Sequence, residues 1–279
     1  MLDRGVYPVR VVTRTYPAAL PSLLVAAALA PSCSGDTVLR QETVRRYDAY
    51  IGDTEARIER EVRSPDYLWA ARSPRRWERV RAGEVVVEPW RGNGDSEIGD
   101  AIIHDWIGAV FIRGVDLGRV VGFLQDYDIH KDYYRPEVID SRLLSRSGND
   151  YRLFYRIVKK KFVTVVLNTN HTANFYPLSG TRLYSRSFTT RIAELRDSGK
   201  PTEHEAPPGH DHGYLWRLNT YWRLEEKDGG VYVESQSISL TTTPPFGLGW
   251  LVNPIVRALP PESLAHLLSA TRDAVNSPR

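Results

Sequence analysis

The sequence predicts an α+β protein: a run of antiparallel strands closed by a long C-terminal helix, with a helical extension ahead of it. Three observations carry this. Between residues 137 and 241 strand-like segments follow one another, separated by turn signals such as Ser147-Gly148-Asn149-Asp150 and Lys227-Asp228-Gly229-Gly230. Residues 214–240 read as a long hairpin. After Pro261, the residues Leu264, Leu267, Leu268, Thr271 and Val275 recur with helical period.

Taken in order, the chain starts with a segment unlike the rest. Arg4, Arg10 and Arg14 precede an apolar run, residues 18–30, that ends in Ala28-Leu29-Ala30. A basic start, an apolar centre and a small-residue end are the three parts of an export signal, and the run is too short to span a bilayer as a helix. Residues 1–35 are therefore expected to direct export, and the mature chain is expected to be extracytoplasmic, periplasmic or secreted. Cys33 is the only cysteine. The preceding Ala30-Pro31-Ser32 fits a lipoprotein signal poorly. Without Cys33 the mature chain has no disulfide, so its stability must come from its core.

Residues 36–63 have a helical pattern, with Val44, Tyr47, Ile51 and Ile58 on one face. Pro65 and Pro74 break it. Val85-Val86-Val87 is a short strand, and 89–100 a loop. Residues 36–100 lack the apolar content for a core of their own and are expected to pack, as an N-terminal extension, on a main domain of residues 101–279. There, 101–112 is strand-like. Residues 116–127 are helical, with Asp116 as N-cap, and a second short helix near 129–134 ends before Pro136. Strands are expected at about 137–145, 151–158, 162–176, 181–195, 214–225 and 231–241. A polar loop, 196–213, interrupts them. An apolar segment, 244–260, holds a short helix, and Pro261 starts the last one at its first position.

Charge narrows the function. The chain has 37 Lys+Arg against 34 Asp+Glu, a net charge of +3, which is too balanced for a nucleic-acid partner. No basic stripe interleaved with aromatics is present.

The hairpin fixes its own register. With Asp228-Gly229 as a two-residue turn, Trp222 faces Ser235, Leu224 faces Val233 and Thr220 faces Ser237. Arg223 then meets Glu234 and Tyr221 meets Gln236, leaving one apolar face and one polar face with an ion pair across it. A shift of one residue mixes the faces. The inward face runs Trp216, Leu218, Thr220, Trp222, Leu224 beside Val231, Val233, Ser235, Ser237, Ser239. On the preceding strand Tyr184, Phe188 and Ile192 share one parity with Arg186. Glu225-Glu226, at the hairpin end, is expected to be solvated.

This order of elements resembles the START-like, or SRPBCC, superfamily over about residues 101–276. The segments that carry the likeness are "IHDWIGAVFI", "GRVVGFLQDYDIHKDYY", "KKKFVTVVLNT", "YSRSFTTRIAEL", "YLWRLNTYWRLEEKDGGVYVE" and "GLGWLVNPIVRALPPESLAHLL". The resemblance implies a helix-grip fold, in which a curved antiparallel sheet wraps the C-terminal helix and encloses an apolar cavity. It implies a lipid or other small hydrophobic molecule as ligand, with contact at a membrane surface compatible with that role. On such a fold Tyr155, Tyr184, Phe188, Trp216, Trp222 and Trp250 would line the cavity. Trp250 and Leu251 would form a partial lid. Arg186 would orient a ligand carboxylate or phosphate. Two other readings stay open: a cyclase- or hydrolase-type enzyme using the same cavity, and a structural protein whose core is filled.

Other constellations are weaker. His204, His210 and His212 lie among Glu203, Glu205 and Asp211, but their spacing matches no standard metal site. There is no G-x-S-x-G elbow, and Gly247-Leu248-Gly249 is too short to cradle phosphate. His171 could serve as a general base, yet no partner carboxylate can be placed beside it. The sequence thus assigns no catalytic residue, no metal and no cofactor, and leaves the oligomeric state open.

Overall fold

The computed structural model describes residues 39–160, 164–242 and 249–277, with residues 249–256 as backbone. The expected export segment and the neighbourhood of Cys33 lie outside the described residues. The elements in chain order are α1 (Gln41–Val62), a 3-10 turn (Ala70–Arg72), α2 (Pro74–Arg81), β1 (Val86–Pro89), β2 (Asp95–Ile98), β3 (Ala101–Arg113), α3 (Leu117–Gln125), α4 (His130–Tyr133), β4 (Val138–Ser147), β5 (Asp150–Lys160), β6 (Thr164–Pro177), β7 (Arg182–Arg196), β8 (His204–Glu205), β9 (Arg217–Lys227), β10 (Gly230–Thr242) and α5 (Gly249–Asn276).

Local chemistry sets the boundaries. Asp116 caps α3 by accepting from the Arg119 amide at 2.7 Å. Ser73 caps α2, with Pro74 at its first position. At the β9–β10 turn Asp228 and Gly229 take φ of 58° and 76°, the left-handed pair that a two-residue hairpin turn requires. The segment 89–100, expected as a loop, contains the tight β2 strand, which pairs with β3. The last helix is a single element from Gly249 to Asn276, rather than two pieces divided at Pro261. Each internal proline gives up its own N–H bond, while Leu264, Leu268, Thr271 and Val275 are fully buried along one stripe and hold the helix in place.

The strands form one antiparallel sheet in the order β1-β3-β10-β9-β7-β6-β5-β4, with β2 added to β3 and β8 to β7. Helix α5 crosses its inner face over β3, β1 and β10, and α3 and α4 lie beside it. This is the helix-grip arrangement. Gly108 on β3 permits the approach, since a Cβ there would stand 2.6 Å from Leu268 Cδ1. The inner core joins Val110, Ile112, Val231, Val233 and Leu224 of the sheet to Leu117, Val120, Phe123 and Leu124 of α3 and to the α5 stripe.

The outer face is covered as well. Tyr47 and Ile58 of α1 pack on Ala101, Ile103, Tyr221, Ile238 and Leu240. Tyr67, Leu68, Trp69 and Val80 pack on Ile107, Ala109, Phe111 and Tyr232. The polar face of the β9–β10 hairpin lies beneath this layer. Glu234 accepts from the amides of Trp69 and Ala70 at 2.9 and 2.7 Å. Arg223 reaches Glu234 at 3.2 Å and Glu61 of α1 at 2.7 Å. Gln236 donates to Asp105 and accepts from Arg57. These side chains are nearly or fully enclosed, a placement that holds only because each charge meets a partner. Glu225 and Glu226, expected in solvent, are engaged instead. Glu225 pairs with Arg182 at 2.6 Å, and Glu226 accepts from the Leu117 amide that opens α3.

Candidate ligand-binding face

The hairpin register is the one its pattern dictates: Trp222 opposite Ser235, Leu224 opposite Val233, Thr220 opposite Ser237, and Arg223 opposite Glu234. Its burial runs against its polarity. Along β9 the outward Asn219, Tyr221, Arg223 and Glu225 are buried, while the inward Leu218, Thr220 and Trp222 are only half-buried. On β10 Ser237 is half-buried among buried neighbours, and on β7 Ser187 and Thr189 are half-buried as well. Helix α5 covers the sheet on the β3 and β10 side. The inner face of β9 and β7 thus keeps accessible surface around a single indole.

The residues expected to line a cavity separate in the structure. Tyr155 and Trp222 stand on the inner face: Tyr155 pairs with Thr169, and Trp222 pairs with Ser185 and Ser235. Tyr184, Arg186 and Phe188 stand on the outer face, opposite Arg223, Tyr221 and Asn219, which corrects the expectation that they face inward. The cause is a bulge. Pairing between β6 and β7 slips at Thr190, so that His171 meets Thr189 but Asn170 meets Arg191. Ile192 therefore returns to the inner face, although it shares sequence parity with Tyr184 and Phe188. Arg186 bonds Glu55 of α1 at 3.4 Å. It is a link between sheet and extension, and offers nothing to a ligand on the inner face. Trp216 precedes β9, packs with the outer cluster and donates from Nε1 to Thr242 Oγ1 at 2.7 Å. Trp250 lies in the first turn of α5, with its side chain outside the described residues, as is that of Leu251.

Two polar groups that the sequence reading did not connect border this face. His130 of α4 donates from Nε2 to the Phe123 carbonyl at 3.0 Å and accepts at Nδ1 from the Tyr155 hydroxyl at 2.6 Å. His171 donates from Nε2 to Thr169 Oγ1 at 2.9 Å, and that hydroxyl donates onward to the Tyr155 carbonyl. Burial pushes both histidines down to about 4, so each is neutral at pH 7. Burial also raises the Tyr155 hydroxyl well above its ordinary value. Among the described residues no carboxylate hydrogen-bonds His171. The second group is His104 on β3, fully enclosed: Nδ1 meets Asp95 Oδ1 at 2.6 Å, Nε2 meets Thr241 Oγ1 at 2.9 Å, and Asp95 also holds Arg257 of α5 at 3.1 Å. Both ring nitrogens are therefore engaged, one by the Asp95 carboxylate and the other by the Thr241 hydroxyl. The sequence signal was a histidine inside an apolar strand, "AIIHDW". Asp95 comes from the neighbouring β2 hairpin and Thr241 from a residue 137 positions away, so spacing could not reveal them.

In the histidine-rich loop, His212 bonds Glu194 at 2.9 Å and His204 bonds the Thr202 carbonyl. Among the described residues no group of three metal-ligating side chains converges.

Sheet order, register and the crossing helix define the class: an α+β, helix-grip fold. No protein-family model and no curated protein sequence matches the chain. Solved structures similar to it include the STAR-related lipid transfer protein of Xanthomonas axonopodis, 16% identical over 66% of this chain and 99% of that one, with a TM-score of 0.44. The Zhui aromatase/cyclase of Streptomyces sp. R1128 is 10% identical over 62% and 93%, with a TM-score of 0.42. Human STARD10 is 10% identical over 71% and 79%, with a TM-score of 0.40. At these identities and TM-scores no residue role is carried across.

Proposed function

We propose that this protein is an exported carrier that binds a small hydrophobic molecule on the inner face of its sheet, between β9, β7 and the α5 side. One observation carries the reading: the polar outer face of the hairpin is sealed, whereas Trp222 and its neighbours on the inner face stay accessible. Largely apolar, concave surfaces with a few polar anchors are the usual form of small-molecule sites. Tyr155 with His130 and Thr169 with His171 supply such anchors. Export rests on the pattern of residues 1–35.

The test is native mass spectrometry with organic extraction on protein purified from the cells that make it. A bound molecule in near-stoichiometric amount, depleted by Trp222→Ala, supports the reading. A bare protein mass, with no thermal shift against a lipid panel, sinks it and favours a filled-core interaction protein.

A second reading, an acyl-transfer enzyme, has Thr241, His104 and Asp95 in its favour. They stand in the hydrogen-bonded order of nucleophile, base and orienting carboxylate. The complete enclosure of His104 places this reading second, because a general base must reach the proton it moves in the presence of substrate. Ester hydrolysis abolished by both Thr241→Ala and His104→Gln, in variants that keep their fold, would reverse the order.

A further inference from the structure

Helix α1 and residues 67–70 pack over the β3, β10 and β9 side of the outer face. The outer face of β5, β6 and β7 is built differently. The outward side chains of β6 are Asn168, Asn170, Thr172 and Asn174, opposite Arg156, Phe154, Arg152 and Asp150 of β5. At one end Asn168 accepts from Arg156 at 2.9 Å and donates to Glu205 at 2.8 Å, and Arg156 also holds Glu203 at 3.1 Å. At the other end Asn174 donates to Asp150 at 2.6 Å and accepts from Arg186 at 3.5 Å. Each end therefore joins an arginine, an amide and a carboxylate.

The middle lacks its carboxylate. Arg152 is exposed, and Asn170 and Thr172 are half-buried. Among the described residues none of these three side chains has a protein partner, whereas their neighbours along the strands all do. The carboxylates nearby are taken: Asp140 by Arg142 at 3.5 Å, and Glu205 by Arg191 and Asn168.

The place is also hollow. Strand β4 bulges at Leu144 and β7 at Thr190. The two bulges wall a half-open groove of about 530 Å³ over Arg152, Asn170 and Thr172, with Ser145 on its side. A space of this size suits a small ligand. Leu144 is 52% exposed on the wall.

The chemistry limits the occupant. Arg152 calls for an anion, and a carboxylate can serve one guanidinium and one amide together, as Glu205 does for Arg191 and Asn168. The other open groups are hydroxyls, which suit a hydroxyl-rich body, and Leu144 offers an apolar contact to the C–H face of a sugar ring. Strands β5 and β6 are paired on both sides, so a peptide cannot add as a strand. One unpaired guanidinium is short of the several that a nucleic-acid backbone would meet.

We propose that this groove binds an acidic saccharide, with its carboxylate on Arg152 and Asn170 and its hydroxyls on Thr172 and Ser145. The site stands on the opposite side of the sheet from Trp222, and it holds or fails independently of the carrier reading.

Isothermal titration of the purified protein with trigalacturonate, maltotriose and citrate tests it, on the wild type, on Arg152→Gln and on an Asn170→Ala, Thr172→Val variant. Trigalacturonate is expected to bind saturably, at least ten-fold tighter than maltotriose or citrate. The loss is expected to be at least ten-fold in Arg152→Gln and at least three-fold in the double variant. Both variants are expected to melt with the wild type, because the replaced side chains bond nothing in the fold. Backbone amide shifts on adding trigalacturonate should centre on residues 152 and 170–172. No saturable binding of trigalacturonate, maltotriose binding as tightly, or an Arg152→Gln variant that binds unchanged overturns the proposal. Citrate binding as tightly as trigalacturonate overturns the saccharide assignment.

Discussion

At the scale of single residues, the buried ionisable groups make stability depend on pH in two separate windows. His130 and His171 stay neutral in the fold down to about 4, whereas the same side chains in the unfolded chain take up a proton near 6.5. Between those values the unfolded state binds more protons, so stability is full above 6.5 and falls as pH drops toward 4, on the order of 3 kcal/mol for each histidine. Glu61 acts lower down. Burial alone would raise its carboxyl, but the hydrogen bond from Arg72 and the charges of Arg223 and Arg57 outweigh this and hold it at about 2, against 4.5 in the unfolded chain. Its contribution is present above 4.5 and is lost as pH falls toward 2. Urea titrations from pH 8 to pH 3 check both. A His130→Phe, His171→Phe variant is expected to flatten the upper window, and Glu61→Gln only the lower one. Replacing Glu234 by Ala is expected to cost about 3–5 kcal/mol, because Arg223 is then left buried beside it with one partner fewer. A cost under 1 kcal/mol would show that water enters the site. The Arg223–Glu234 pair was legible in the hairpin register, but its burial was not, because the segments that cover it, α1 and residues 67–70, come from far away in the chain.

At the scale of elements, the sequence predicted best what depends on near neighbours. The β9–β10 register followed from a two-residue turn and from alternation, since a slip of one residue would turn every side chain to the wrong face. The start of α3 at Asp116 followed from one capping carboxylate. The β7 faces did not follow. The bulge at Thr190 exchanges the parity halfway along the strand, and its position is set by how β6 and β7 pair, which no local pattern announces. The grip of α5 depends on a close approach in the same non-local way. Gly108→Val is expected to push α5 from β3 and destabilise the fold by about 1–3 kcal/mol through overpacking against Leu268, Val87 and the Val86 carbonyl. Calorimetry gives the loss, and hydrogen exchange should locate it in residues 264–275. Unchanged protection there would mean that the helix adjusts without leaving the sheet.

At the scale of the whole molecule, the N-terminal extension is the lid of the outer face. A chain beginning at Glu84 would expose Tyr221, Tyr232, Ile238 and Leu240 and would leave Arg223 and Glu234 open on one side. It is expected to aggregate or to run as an expanded species on size exclusion, since exposed apolar patches of this kind drive association. A soluble, monodisperse fragment with a cooperative melt would mean that the sheet and α5 are self-sufficient. The extension also explains why part of the candidate site was misjudged. Arg186, Tyr184 and Phe188 have the composition of a binding site, but all three stand on the outer face, where Arg186 and Tyr184 meet α1.

The sequence by itself determined the order of the main elements, α1, β3 through β7, β9 and β10, the hairpin register and the pairing of indole with serine, because these rest on periodicity, capping and turn chemistry within a few residues; it missed α2, the short β2 and β8 strands and the continuity of α5. The tertiary structure alone decided which face of each strand is enclosed, where the bulge falls, and that the apolar hairpin face stays open while the polar one is sealed. Alternation states that two faces differ. Only long-range packing, by α1 and the 67–70 segment on one side and α5 on the other, states what each face meets.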